Sequence, residues 1–243
     1  MIKMFRSEWM KVRGSLMWVL IVASPLLAAF TGWLSSKGTA GDEGGWLEAL
    51  GLMSVLHAML FLPLLTGVFA ALVCRYEHIG GGWKQLLALP VSRTQVYMTK
   101  LAVIMLLLGV TQALFLLALL LTGTMLGFQE PIPWSTLFFS VFGGWLACLP
   151  LAALQLAVAS AWASFAAPLA VNVIFTIPNM LIANSADYGP YYPWAQPMLA
   201  MIPSTEMSFG AFNISAVTLF GVIGGSFLIF LLGGWSYFVK KTI

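Results

Sequence analysis

Long stretches of this chain contain no Asp, Glu, Lys or Arg, and that spacing constrains the fold more than any other feature. Gly14–Ser36, Ala49–Cys74, Leu101–Gln129, Pro131–Ala186 and Met207–Val239 are free of all four residue types. A helix needs about 20 residues to cross about 30 Å of hydrocarbon, and one ionised side chain at its centre costs about 2.5–3.5 kcal/mol. The charge-free stretches therefore predict six spans, near 15–34, 50–74, 100–124, 136–160, 165–184 and 216–238. Pro131–Ala186 supplies two of them, joined by a short turn near Ser160–Ser164. The runs are continuously apolar rather than alternating, which excludes a closed β-barrel.

Composition agrees. Only 8% of the residues are charged and 60% are hydrophobic, whereas a soluble domain carries about 25% charge. A soluble enzyme, a disordered chain and a secreted disulfide scaffold are excluded. Cys74 and Cys148 lie in or beside apolar runs and read as packing residues. The net charge of +3 reflects loops that face anionic lipid rather than nucleic acid.

Six spans put both termini on one side. Lys3, Arg6, Lys11, Arg13, Arg75, Lys84, Arg93, Lys100, Lys240 and Lys241 then share that side, and only Lys37 lies opposite. The positive-inside rule makes both ends cytoplasmic. Asp42, Glu43, Glu48, Glu130, Asp187 and Glu206 fall outside, and Glu8 and Glu77 inside. Residues 1–243 read as a single transmembrane domain, with the first apolar run retained as a helix because it exceeds the length of a secretory signal.

Three segments outside the spans carry pattern. Residues 1–14 begin MIKMFRSEWMKVR, which places apolar and basic residues on opposite faces of an interfacial helix. Residues 75–99 contain a Gly80-Gly81-Gly82 breaker, then Trp83, Leu86, Leu87 and Pro90 at i, i+3, i+4 and i+7. This predicts a short cytoplasmic helix ended by Pro90, with Lys84 and Gln85 on its other face and Ser92 or Thr94 capping the next helix. Residues 184–215 hold Pro190, Pro193, Pro197 and Pro203 in an aromatic setting and predict short helices that dip into the membrane from outside.

Catalytic chemistry is missing from the pattern. His57 is the one ionisable residue within a predicted span, and Asn172, Asn179, Gln112 and Gln155 are polar without charge. Such amides usually bond between helices. His57, Asn172 and Asn179 are the candidates for a substrate path. The sequence contains no nucleotide-binding GxxxxGK[ST] loop, no HExxH and no GxSxG. No metal and no cofactor is expected on this chain. Uphill transport would then draw its energy from another subunit, and the cytoplasmic helix is where that subunit would push.

The segments SEWMKVR, EHIGGGWKQLLALPVSRTQVYMTK and YYPWAQP resemble the opening, the coupling helix and the outer stretch of type-2 ABC exporter permeases, in particular those of lantibiotic-immunity transporters. Tyr192 stands where Phe is commoner in that family. The resemblance implies an all-α permease of six spans. Glu77, Trp83, Lys84, Leu86, Leu87, Leu89, Pro90 and Arg93 would form its contact with a separate ATPase subunit that binds ATP and magnesium. It further implies pairing with a second copy or a sibling permease, a path lined by spans one, two and five, and a location in the bacterial cytoplasmic membrane. The cargo would be an amphipathic peptide antibiotic. The alternatives are another hydrophobic drug, a lipid or polymer, or a membrane scaffold that does not transport.

Overall fold

The computed structural model describes residues 2–15, 17–38, 45–79, 81–202 and 210–241. Among them every regular element is helical. That outcome follows from the apolar sequence, because a backbone without water must satisfy its own hydrogen bonds. Helix α1 (Ile2–Arg13) is followed by α2 (Met17–Gly38). A second apolar run forms α3 (Trp46–Leu56), one π turn (His57–Phe61) and α4 (Leu62–His78) without interruption. The short α5 (Gly82–Ala88) precedes α6 (Arg93–Leu126), the longest helix. A fourth run is divided at Cys148 into α7 (Trp134–Ala147) and α8 (Leu149–Ala161). Then come α9 (Ala166–Thr176), α10 (Asn179–Ala183), α11 (Gln196–Met201) and α12 (Ala216–Lys240).

Five of these runs are long and apolar enough to cross a membrane: α2, α3 through α4, α6, α7 through α8, and α12. The expected fifth span, 165–184, is different. It is 11 residues of α9, a break at Ile177–Pro178, and five residues of α10. Pro178 has no N–H to donate back along the helix, so the ladder is interrupted there. Apolar content alone does not reveal such a break.

The start of α6 and the end of α12 meet at one end of the bundle, here called the basal end. Arg93 at the start of α6 donates from Nη1 to the carbonyls of Val239 (2.8 Å) and Lys241 (2.6 Å) at the end of α12. Lys241 Nζ donates to Ser160 and Ala161 at the end of α8. These cations occupy helix C-termini, where free carbonyls and the macrodipole favour positive charge. From the basal end α9 and α10 run back along α4. The Arg75 guanidinium lies 5.6 Å from the Phe165 ring centroid, Asn172 meets Pro63, and Asn179 meets Met59.

Proline and amide chemistry hold the middle of the bundle together. Pro63 cannot donate to the Met59 carbonyl, and the Asn179 side chain does so instead at 2.8 Å. Asn172 Nδ2 donates to the Pro63 carbonyl at 2.9 Å, while its Oδ1 accepts from Gln155 (3.0 Å) and the Trp194 indole (2.9 Å). Gly67 makes room for this contact, since a Cβ there would stand 2.3 Å from Asn172 Nδ2. Helix α11 is buried along its whole length. Its Met201 carbonyl accepts from Ser140, and its Met201 sulfur lies 3.2 Å from Gln112 Nε2. Gln112 sits about 20 Å along α6 from the Leu126 end, so α11 reaches deep between the longer helices. Helix α12 packs along α8 but buries only Leu219, Ile223, Gly234 and Phe238. Phe220, Phe227, Leu231 and Trp235 pack partly against the core, and Val217, Leu228, Ile229 and Leu232 face outward.

Gly67→Ala should therefore lower the thermal midpoint of the detergent-solubilised protein by the equivalent of about 1–3 kcal/mol, the usual cost of overpacking. In an Asn172→Ala background the same substitution should cost much less, because the clashing amide is gone. Equal losses in both backgrounds, read by thermal unfolding, would contradict the contact.

Candidate coupling site

Helix α5 owes its position to the residues that frame it. Gly81 adopts φ 75°, ψ 22°, a left-handed geometry that suits glycine. Gly82 approaches the end of α4 so closely that a Cβ would lie 2.8 Å from the Tyr76 carbonyl oxygen. Leu89 returns to extended backbone ahead of Pro90. Ser92 then caps α6 by accepting from the Gln95 N–H at 3.2 Å. Gly80 lies outside the described residues.

Seven residues make two turns, too little to persist alone, and Trp83 supplies the anchor. Its side chain is 6% exposed. The indole N–H donates to His78 Nδ1 at 3.2 Å, which leaves His78 Nε2–H to donate to the Ala159 carbonyl at 2.7 Å. Phe238 meets the ring edge-on at 5.2 Å, and Lys100 Nζ lies 5.5 Å from the ring centroid. Trp83 thus joins α4, α6, α8 and α12.

Beneath it lies a closed ring of four charges. Lys11 Nζ is 2.7 Å from Glu8 and 2.5 Å from Glu77. Lys100 Nζ is 3.1 Å from the other oxygen of Glu8 and 3.0 Å from the other oxygen of Glu77. The last is an ion contact without a hydrogen-bonding angle. Lys100 also donates to the Val73 carbonyl at 2.7 Å. Side-chain exposure is 1% for Lys100 and 2% for Glu8, whereas Lys11 is 27% exposed, so three of the four charges are withdrawn from water and Lys11 forms the wetter side of the ring. Its two positive and two negative charges cancel, the condition under which buried ions are tolerated. Burial alone would depress the Lys11 pKa. The hydrogen bonds and charges of Glu77 and Glu8 outweigh it and raise that pKa above the ordinary 10.5. The stabilisation from Lys11 is therefore complete below pH 10.5 and fades only as pH climbs through the higher folded-state value.

The residues grouped in the sequence as one contact divide into two sets. Trp83 points inward, Glu77 belongs to the charge ring, and Arg93 is engaged with the carbonyls of α12. Leu86 is half-buried, whereas Lys84, Gln85, Ala88, Leu89 and Pro90 face outward, with Leu89 56% exposed. The side chain of Leu87 lies outside the described residues. Sequence reasoning missed Glu8, Lys11 and Lys100. The available signals were a single acid within a basic amphipathic helix and a last cation placed directly before an apolar run.

His57 also has its partners inside the bundle. Its Nδ1 lies 2.7 Å from Ser24 Oγ and its Nε2 lies 3.1 Å from Gln112 Oε1, so the hydroxyl donates to the ring and the ring donates to the amide. Phe115 stacks on it at 4.3 Å. His57, Asn172 and Asn179 are all fully buried and tie helices together. Among the described residues no group of three His, Cys, Asp or Glu could hold a metal. At the basal end Trp83 links α5 to α4, α6 and α12, and the charge ring links α4 and α6 to α1.

Replacing one member of the ring leaves its partners charged and buried. Lys100→Met should destabilise the detergent-solubilised protein by about 3–5 kcal/mol. Adding Glu8→Gln should recover part of that loss, because it removes an orphaned carboxylate. Additive losses in a denaturation cycle would show that the four charges are not one unit.

A family described as ABC-2 family transporter protein matches residues 4–179. The match runs from α1 through α9 to the first residue of α10 and includes the charge ring and α5. No curated protein matches the chain. The matched region exceeds half of the 243 residues. This multi-pass helical chain belongs to the ABC-2 transporter family, whose members are the membrane permease components of ABC transporters and work with an ABC ATPase.

Proposed function

We propose that the chain is the permease half of an ATP-driven exporter and that it expels an amphipathic peptide antibiotic from the cytoplasmic membrane. The observation that carries this reading is α5. It is a two-turn helix pinned by Trp83 above the Glu8–Lys11–Glu77–Lys100 ring, and it turns Lys84, Gln85, Leu89 and Pro90 outward. This is an apolar and cationic surface suited to an acid-bearing groove on an ATPase. Closure of two ATPases on nucleotide would displace α5, and the anchored indole would carry that displacement into α4, α6 and α1. A ligand shifts a two-state element by its differential affinity for the two states.

In this reading α9 and α10 complete a sixth crossing, α11 re-enters from outside, and both termini are cytoplasmic. Two copies, or this chain and a sibling, enclose a path lined by α2, α4 and α9. The outward faces of α2 and α9 support an apolar cargo. Val19, Leu26 and Phe30 on α2, with Ile174 on α9, are exposed and uncharged. Such walls grip by area rather than by ion pairs.

Lys84→Glu combined with Leu89→Glu should weaken ATPase association by about tenfold or more, as loss of a central contact does. Membrane insertion should persist. Co-purification with the cognate ATPase checks this, and unchanged association would refute the docking role. ATP-driven uptake of a lantibiotic into inverted vesicles, compared with uptake of a hydrophobic dye, separates the peptide reading from a drug permease. Uptake of neither favours a scaffold.

A further inference from the structure

A cavity of about 220 Å³ opens at the basal end between α4, α8 and the turn that leads into α9. Ala71, Ala159 and Pro168 form an apolar floor, and Arg75, His78 and Ser164 are its polar groups. His78 is already committed, with one ring nitrogen on the Ala159 carbonyl and the other on Trp83. Arg75 is not. Its guanidinium stacks over Phe165 at 5.6 Å, and among the described residues no carboxylate pairs with it. Glu8 and Glu77, the acids at this end, are engaged by Lys11 and Lys100. The site therefore presents one uncompensated planar cation at the mouth of a small apolar cavity. Trp162, an exposed aromatic of the kind found at the headgroup level, stands in the adjoining turn.

We propose that this cavity binds one anionic phospholipid of the cytoplasmic leaflet. The phosphate would be held by the Arg75 fork with help from Ser164, and the first acyl carbons would lie on the alanine and proline floor. A guanidinium matches a phosphate bidentately. A basic pocket between membrane helices on the cytoplasmic side is chemically suited to an acidic headgroup. The cavity floor distinguishes a lipid from a free anion, because inorganic phosphate gains nothing from apolar walls. The proposal rests on the basal end facing the cytosol and is independent of the cargo.

Native mass spectrometry of the full-length chain released from detergent tests it, with phosphatidylglycerol and phosphatidylcholine as probes. One phosphatidylglycerol should be retained in preference to phosphatidylcholine. Arg75→Gln should lower that preference about fivefold, the effect expected of one basic residue near an anionic surface. Ala163→Trp, an exposed substitution that fills the cavity mouth and leaves the charge in place, should lower it as well. Arg13→Gln, on the exposed face of α1, should not. Equal loss in Arg13→Gln would assign the preference to the basic surface at large and overturn the site. Displacement of the lipid by millimolar inorganic phosphate would also overturn it, in favour of a free-anion site. A lipid preference that survives Arg75→Gln while ATPase association falls would assign the residue to the protein partner instead.

Discussion

Two carboxylates and two ammonium groups at the basal end tie together segments that the sequence holds as much as 92 residues apart. Each pair alone would be a poor bargain, since moving an ion out of water costs several kcal/mol even after relaxation. Closed into a ring, every charge has two opposite neighbours and the net charge vanishes. The rest of the basal architecture depends on this. The ring adds to the apolar hold of α1, whose Val12 is buried in the core and whose Trp9 meets Trp18, while Lys100 supplies the cation under the Trp83 ring, and Trp83 fixes α5. The arrangement explains how a two-turn helix of weak intrinsic stability keeps one orientation at the basal end.

The middle of the molecule solves the opposite problem. Proline breaks the hydrogen-bond ladder at Pro63 and ends α9 before Pro178, and carbonyls so freed cannot turn to water. Asn179 and Asn172 serve the Met59 and Pro63 carbonyls, and the π turn at His57–Phe61 widens the helix just before Pro63. Irregular backbone at this depth is tolerated because neighbouring helices satisfy it. The same logic admits α11, whose six residues are all buried.

How much of this was legible follows from which forces act locally. The gaps between charges located the long apolar helices, because the penalty for an ion in hydrocarbon acts residue by residue, but not their ends: α6 begins at Arg93, ahead of its charge-free stretch, and α8 ends at Ala161 inside one. Gly81 and Pro90 marked the ends of α5 for equally local reasons. The direction of its apolar face was not legible. Trp83 and Leu86 share a face, but a short helix at an interface has lipid, partner and bundle all within reach, and the spacing does not choose among them. The ring was hidden for the same reason. Glu8, Lys11, Glu77 and Lys100 come from three segments, and only the packing of α1 against α4 and α6 brings them together. The break in the fifth apolar run was visible as Pro178, yet hydropathy averages over it.

The two networks differ in strength, and that difference orders the motions open to the fold. Removing one partner from a buried charge ring costs about 3–5 kcal/mol, whereas a neutral hydrogen bond between membrane helices averages about 0.6 kcal/mol. The contacts of Asn172 with the Pro63 carbonyl and of His57 with Gln112 are of the second kind. In the reading proposed for α5, a force on it would meet the charge ring first and the neutral network of the middle second. The cluster of α1, α5 and the basal ends of α4 and α6 would then move as one piece, with the change in packing at mid-depth, where Pro63 and the π turn already interrupt the helix. A permease driven from α5 would need that division, because energy absorbed by bending the input lever never reaches the path.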